Sequence, residues 1–292
     1  MQPLTLRSLL AVHAHPDDEC VTTGGVLARY SAEGVRTVVV TCTGGEVGEI
    51  SDPGLASPAN LGEVRARELA EALRILGVCR SVQLGYRDSG MAGTPDNQHP
   101  ACFHQADLEE AAGRLVRIIR EERPQVLVTY DENGGYGHPD HIQAHRVAVA
   151  AFRAAGDPAR FPEAGAPWAP ARLYYAVFPH SLIHRFGEAF REAGIEAPFS
   201  APTGADAGEN PPPFGTPDDL VTAKVDVAAF VEAKRDAMLA HRTQFGPEHF
   251  FARLPWETAR PIWAHEFFQR VVPPQALPPG PRETDLFGGL PG

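Results

Sequence analysis

Leu9-Leu10-Ala11-Val12-His13-Ala14-His15-Pro16-Asp17-Asp18-Glu19 is the stretch whose reading decides the fold. It opens on four apolar residues without alternation, as strands do when both faces are covered in a parallel sheet. It ends in His, Asp, Asp and Glu, and the pair Gly24-Gly25 follows shortly after. A strand that ends this way delivers several titratable groups to one point. In open α/β sheets, ligands bind at the carboxyl ends of strands.

The same alternation continues outward from this stretch. Residues 25–33 read as a helix, and 37–43 (TVVVTCT) as a β-branched strand. Residues 61–76 carry an amphipathic helical period and are followed by Gly77, a C′ residue. A short strand at 81–85, a helix at 108–121, a strand at 125–130, a helix at 141–155 and a strand at 173–178 complete the series. This β-α order predicts an α/β fold: a Rossmann-like, mostly parallel sheet with helices on both faces. Beyond about residue 180 the pattern weakens. Residues 197–218 are rich in Pro, Gly, Ala and Asp and read as a loop, 227–242 as a helix, and the tail 273–292 is rich in Pro and Gly. The expectation is one domain over 1–292, with a core to about 180 and a C-terminal elaboration over about 181–292 that covers one rim of the site.

Composition narrows the function classes. A formal charge of −11, from 26 basic and 37 acidic residues, repels nucleic acid, and no Lys/Arg run offsets it. Four cysteines, none in a C-x-x-C pair, give no disulfide framework and fit a reducing cytoplasm. No signal-like segment opens the sequence, and no apolar run approaches the ~20 residues of a membrane span.

A second cluster, Tyr136-Gly137-His138-Pro139-Asp140-His141, follows the 125–130 strand. Pro16 sets a turn in which His15 and Asp18 converge while Asp17 points elsewhere. His and Asp suit zinc, and catalytic zinc keeps three protein ligands and one open position. The third ligand is expected from another strand end, with His141 the leading candidate. Ferrous iron also accepts such a set. Asp17 is then free to act as general base. His138 and Asp140 form a second pair, in which a protonated imidazole could stabilise an oxyanion, and Tyr136 could donate a further hydrogen bond. Blander readings compete with these. The first motif alone could be a capped turn with Asp at a helix N-cap. His145, four residues after His141, reads as a supporting or plain helix histidine, and His13 as supporting at most. Cys20 and Cys42 read as small core residues.

The A-H-P-D-D-E at 14–19 and H-P-D-H at 138–141 resemble the zinc-dependent N-deacetylases of the LmbE and PIG-L type. The resemblance runs from Ala11 to the Glu283-Thr284-Asp285-Leu286-Phe287 tail and is closest to the mycothiol branch. It implies zinc on His15, Asp18 and His141, Asp17 as base, and His138 with Asp140 as the protonated stabiliser. It further implies Tyr136 as a mobile oxyanion donor and Arg65 and Asp88 as substrate-binding residues. Thr22 stands where the branch's deacetylase carries a hydroxyl and its S-conjugate amidase a lysine. The implied reaction removes acetyl from an N-acetylglucosamine conjugate, with GlcNAc–inositol the leading substrate. S-conjugate amidase and GlcNAc-malate deacetylase are the alternatives, and a non-catalytic sugar-conjugate binder the remote one. The implied partner is a small molecule.

Overall fold

The computed structural model describes residues 7–196, 214–274 and 282–291. Among these, seven strands form one sheet in the order β3-β2-β1-β4-β5-β7-β6. The strands are β1 Ser8–His13, β2 Arg36–Thr43, β3 Arg80–Tyr86, β4 Val126–Tyr130, β5 Arg172–Val177, β6 Ala223–Asp226 and β7 His265–Val272. β1 to β5 pair in parallel; β7 pairs antiparallel with both β5 and β6. The expected α/β class and mostly parallel sheet are what the chain forms. The antiparallel edge comes from the stretch where the sequence pattern is weakest.

Helices α1 Asp18–Thr22, α2 Gly24–Ala32, α3 Leu61–Leu76, α4 Leu108–Glu122 and α5 Pro139–Ala155 lie between the parallel strands. α6 His180–Glu192, α7 Val231–Ala240, α8 Phe250–Arg253 and α9 Trp256–Trp263 follow β5. Alternate residues of the central strands feed two cores. Leu9, Ala11 and Val39 join the cluster that includes Leu27 and Tyr30 of α2, Leu69 and Leu73 of α3 and Met238 of α7. Leu10, Val12, Val38 and Val40 join Leu115 and Ile119 of α4 and Val147 and Ala151 of α5 on the other face. A strand with both faces covered has no polar face to show, which is why β1 reads as a continuous apolar run.

Local signals explain the boundaries. α3 ends at Gly77 with φ 71°, and the Val78 N–H donates to Leu73 O at 2.9 Å, closing the turn as a glycine C-terminus does. α2 starts on the Gly24-Gly25 pair because a Cβ at Gly25 would lie 2.6 Å from Val227 Cγ2. Glu266 accepts from the N–H groups of Gly25 at 2.7 Å and Val26 at 2.8 Å, satisfying free donors at that helix start. α6 and β7 depart from the expected weak pattern. α6 buries Leu182, Ile183, Phe186, Ala189 and Phe190 at helical spacing, and β7 is half-buried through most of its length. The expected loop at 197–218 lies mostly outside the described residues. No helix among the described residues is long and apolar enough to cross a membrane.

Strand order reverses at β1: β2 and β3 lie to one side, β4 and β5 to the other. The crevice between the ends of β1 and β4 is therefore the switch point at which such sheets bind ligands. Both sequence clusters open onto it.

Candidate metal centre and its cavity

His15 leaves the end of β1, Asp18 opens α1, and His141 sits in the first turn of α5 after β4. His15 Nδ1 lies 3.3 Å from His141 Nε2 and 3.4 Å from Asp18 Oδ2. Asp18 Oδ1 lies 3.4 Å from His141 Nε2. Ligand bonds of 2.0–2.2 Å at tetrahedral angles place donor atoms about 3.3 Å apart, so this triangle fits a divalent ion.

The outer contacts fix each ligand for that task. His15 Nε2 donates to Asp140 Oδ2 at 3.3 Å, and His141 Nδ1 donates to Gly134 O at 3.1 Å. A carboxylate and a carbonyl can only accept, so the protons sit on those nitrogens. The other nitrogen of each ring presents a lone pair to the cage, as metal-bound histidines do. Asp18 Oδ2 accepts from the Tyr130 hydroxyl at 2.7 Å and the His15 N–H at 2.8 Å. Gly134 can lie this close because it has no side chain: at φ 63°, a Cβ there would meet His141 Cβ at 2.6 Å. Burial opposes charge on the His15 ring. The carboxylates of Asp140, Asp18 and Asp88 override it and hold the ring well above its ordinary pKa. The same converging field favours a cation in the cage. Burial would raise Asp18, but His141 and His15 hold it well below the usual carboxylate range. His15, His138 and His141 also gather within 4.8 Å, but the Nδ1 of His138 is taken by the Asp140 N–H at 3.1 Å.

Asp17 stands beside the cage. It holds φ 112°, a region that non-glycine residues rarely occupy, and makes no side-chain capping bond. The capped-turn reading therefore does not describe it. Its carboxylate instead takes Arg65 Nη2 at 3.0 Å. Burial and the neighbouring Asp18 push its pKa up to about 6, against the pull of Arg65. Backbone strain and near-neutral titration are features that cluster at functional sites.

His15, Asp17, Asp18, Arg65, Asp88, Tyr136 and His138 line one cavity of about 340 Å³, with Val47, Met91, Gln244, Phe245 and His249 among the other wall residues. That volume falls in the range of small-molecule sites. Several of these residues make contacts that the sequence did not indicate. Asp140 gives its carboxylate to His15 and to the Ser89 N–H at 2.9 Å and the Ser89 hydroxyl, not to the His138 ring. Burial, then the neighbouring His15, lowers His138 to about 4, which favours the neutral ring. With Nδ1 accepting, the His138 proton sits on Nε2, which leaves it a neutral donor. Arg65 is buried and also donates to Gly45 O at 2.9 Å and Pro16 O at 2.5 Å, so it braces the Asp17 turn. Asp88 accepts from the Gly90 N–H at 2.8 Å with an oxygen 3.5 Å from His15 Nε2. Tyr136 is half-exposed, its ring 5.0 Å from that of His141. Thr22 is not brought to this cavity. Its hydroxyl donates back to Asp18 O at 2.9 Å, and it lines a separate apolar cleft with Val177, Phe178 and Phe186. His145 accepts no place in the cage; its Nδ1 donates to Tyr130 O at 3.0 Å. Tyr130, Ser89 and Gly134 are the contributors that sequence reading missed. Tyr130, the last residue of a recognisable strand, and Gly134, in the Gly134-Gly135 loop before His141, carried a positional signal.

An open α/β sheet with a His-Asp-His cage and a poised carboxylate at its switch point defines a protein that can hold a divalent metal beside a base. Residues 10–152, a span containing both motifs, match the family model described as PIG-L: GlcNAc-PI de-N-acetylase. The chain is 48% identical to the 1D-myo-inositol 2-acetamido-2-deoxy-alpha-D-glucopyranoside deacetylase 1 of Catenulispora acidiphila, over 99% of this chain and 91% of that protein. It is 49% identical to the deacetylase of the same name from Thermobifida fusca, over 96% and 99% respectively. The solved N,N'-diacetylchitobiose deacetylase of Pyrococcus horikoshii shares the fold, with a TM-score of 0.62 at 20% identity over 90% of this chain and 83% of that one. The chain belongs to the PIG-L (LmbE-type) family of N-deacetylases.

Proposed function

We propose that this enzyme removes the acetyl group from GlcNAc–inositol, 1D-myo-inositol 2-acetamido-2-deoxy-alpha-D-glucopyranoside, with zinc on His15, Asp18 and His141. The observation that carries this reading is the triangle of donor atoms 3.3–3.4 Å apart with Asp17 against it on the wall of one sugar-sized cavity. Near full-length similarity to relatives named for this substrate supports the choice of aglycone.

When bound, the ion supplies Lewis acidity: it acidifies water and polarises the acyl carbonyl. The protein supplies the rest. Asp17, whose basicity burial raises, takes a proton from the attacking water and can return it to the amide nitrogen as the C–N bond breaks. Acetate and a free 2-amino sugar result. His138, neutral and protonated on Nε2, donates to the oxygen that gains charge, and Tyr136 can add a second donor from its half-exposed loop. Arg65 holds the Asp17 turn and keeps its carboxylate ionisable. Asp88, at the cavity wall, offers an acceptor to sugar hydroxyls. Four unpaired cysteines support a reducing, cytoplasmic setting.

The test is a substrate panel on zinc-loaded protein: GlcNAc–inositol, GlcNAc-malate and a mycothiol S-conjugate, read as released amine. The first should give the highest kcat/KM. Preference for the S-conjugate would move the enzyme to the amidase branch, and no turnover of any would leave only binding.

A further inference from the structure

The geometry points to His241 and Glu19 as a buried clamp that positions Asp17, so that a residue from the C-terminal part of the chain sets the base. This rests on Asp17 being the base and adds the residues that hold it.

Glu19 and His241 are both fully buried, 222 positions apart, and His241 Nε2 lies 2.8 Å from Glu19 Oε1. Glu19 Oε2 accepts the backbone N–H of Asp17 at 2.8 Å. That N–H belongs to the residue held at φ 112°. A backbone in this region relaxes unless its surroundings over-determine it. Remove the acceptor and the Asp17 peptide is free to turn back to negative φ, which swings its carboxylate off the cavity wall.

Two observations separate this role from plain core filling. His241 Nδ1 is buried with no hydrogen-bond partner. A ring kept in the core with one nitrogen unsatisfied is a poor packing choice, and its single side-chain bond is the one to Glu19. The segment that carries His241 is also pinned to the rim. Ser51 Oγ donates to Arg242 O at 2.7 Å, Thr243 N donates to Glu68 Oε1 at 2.9 Å, and Gln244 Nε2 donates to Glu49 O at 2.9 Å.

Glu19, Cys20 and His241 also form a group with metal-binding donor types. Their spacing argues against an ion. Cys20 Sγ to Glu19 Oε1 is 2.9 Å and His241 Nε2 to Glu19 Oε1 is 2.8 Å, hydrogen-bond separations and shorter than the 3.3–3.4 Å of the cage. Protons bridge these groups.

The experiment compares zinc-loaded wild type with His241→Phe, His241→Gln and His241→Asn. Glutamine can place an amide N–H where Nε2 stood; asparagine is polar but too short to reach Glu19. Phe and Asn should lower kcat by about 10–100-fold, the scale of a displaced catalytic group, with KM little changed and one metal per chain retained. Gln should recover kcat to within about threefold of wild type. Should Phe not fold, the Asn–Gln pair carries the comparison. Unchanged kcat with only a lower Tm would make His241 structural, kcat lost in step with metal would route its effect through Asp18, and failure of Gln to recover would break the clamp; each overturns the inference. Asp17→Asn, run alongside, tests the base itself: full turnover there would sink the base reading whatever the His241 variants do.

Discussion

Replacing Arg65 with glutamine should move the acid limb of the pH–rate profile to higher pH. Arg65 Nη2 sits 3.0 Å from Asp17 Oδ2, with side-chain exposures of 4% and 17%, so water screens the pair little. At an effective dielectric of about 20, unit charges about 4 Å apart interact by about 4 kcal/mol. At 1.36 kcal/mol per pH unit this is about 3 units, and measured carboxylate–arginine effects run about 1–3. Asp17 must be ionised to accept a proton, so activity is lost as pH falls through its pKa, which sits at about 6 in the protein's own field. A metal ion lowers that limb in wild type and variant alike, so the difference between them is the quantity to read. If the limb moves up by about two units, the ionised fraction at a pH below the wild-type limb falls by about 100-fold, wherever the bound metal sets that limb. Turnover of GlcNAc–inositol on the acid side of the wild-type limb should then drop by up to about 100-fold and be largely regained about two units higher in pH. The assay is kcat/KM from pH 5 to 9.5 on metal-loaded protein. A raised KM with an unmoved limb would refute this reasoning and return Arg65 to the substrate-binding role that the family resemblance implies.

The remaining predictions concern the cage and its surroundings. His15→Ala and His141→Ala should each lose most bound metal by elemental analysis; full occupancy in either would dissolve the assigned triangle. Asp140→Asn should weaken metal binding about 10–100-fold in a chelator competition, because its carboxylate orients His15; wild-type affinity would show that this contact does not matter. Asp17→Asn should stabilise the metal-free fold at pH 8. The folded pKa of about 6 lies above the ordinary 3.8, so the folded chain binds this proton more tightly, and stability present below about 3.8 is lost as pH rises through 6. The ceiling is about 3 kcal/mol. A Tm gain that is equal at pH 4 and pH 8 would exclude ionisation as its cause.

The parallel half of the fold and the gathering of His and Asp donors at strand ends were legible because both depend on local pattern. β1 and β4 are buried on both faces and show it as apolar runs, and ligands at strand ends follow from that placement. Contacts across the sheet were not legible. Asp140 lies two residues from His138 in sequence, yet its carboxylate reaches His15, 125 positions away, because α5 packs over the end of β1. The family resemblance implied substrate contact for Arg65, but it gave no sign that α3 also turns this side chain against Pro16 and Asp17. Thr22, one helical turn from Asp18, spends its hydroxyl on Asp18 O and lines the separate apolar cleft. The half-buried β7 sits at an antiparallel edge, where polar residues among aromatic ones blur the period.

The pairing of β1 with β4 acts as a gauge. Leu9 faces Val126, Leu10 faces Leu127 and Ala11 faces Val128, and these couples set how far His15 stands from His141. One step along a strand is about 3.3 Å, the same length as the 3.3 Å between the two donor nitrogens. A single slip would therefore displace one ligand by the whole width of the cage and turn its strand's apolar side chains to the wrong core. The tolerance of the catalytic centre is thus set by greasy residues that never touch substrate. Changes in length between the two strands, in the loops around α3 or α4, leave the gauge untouched.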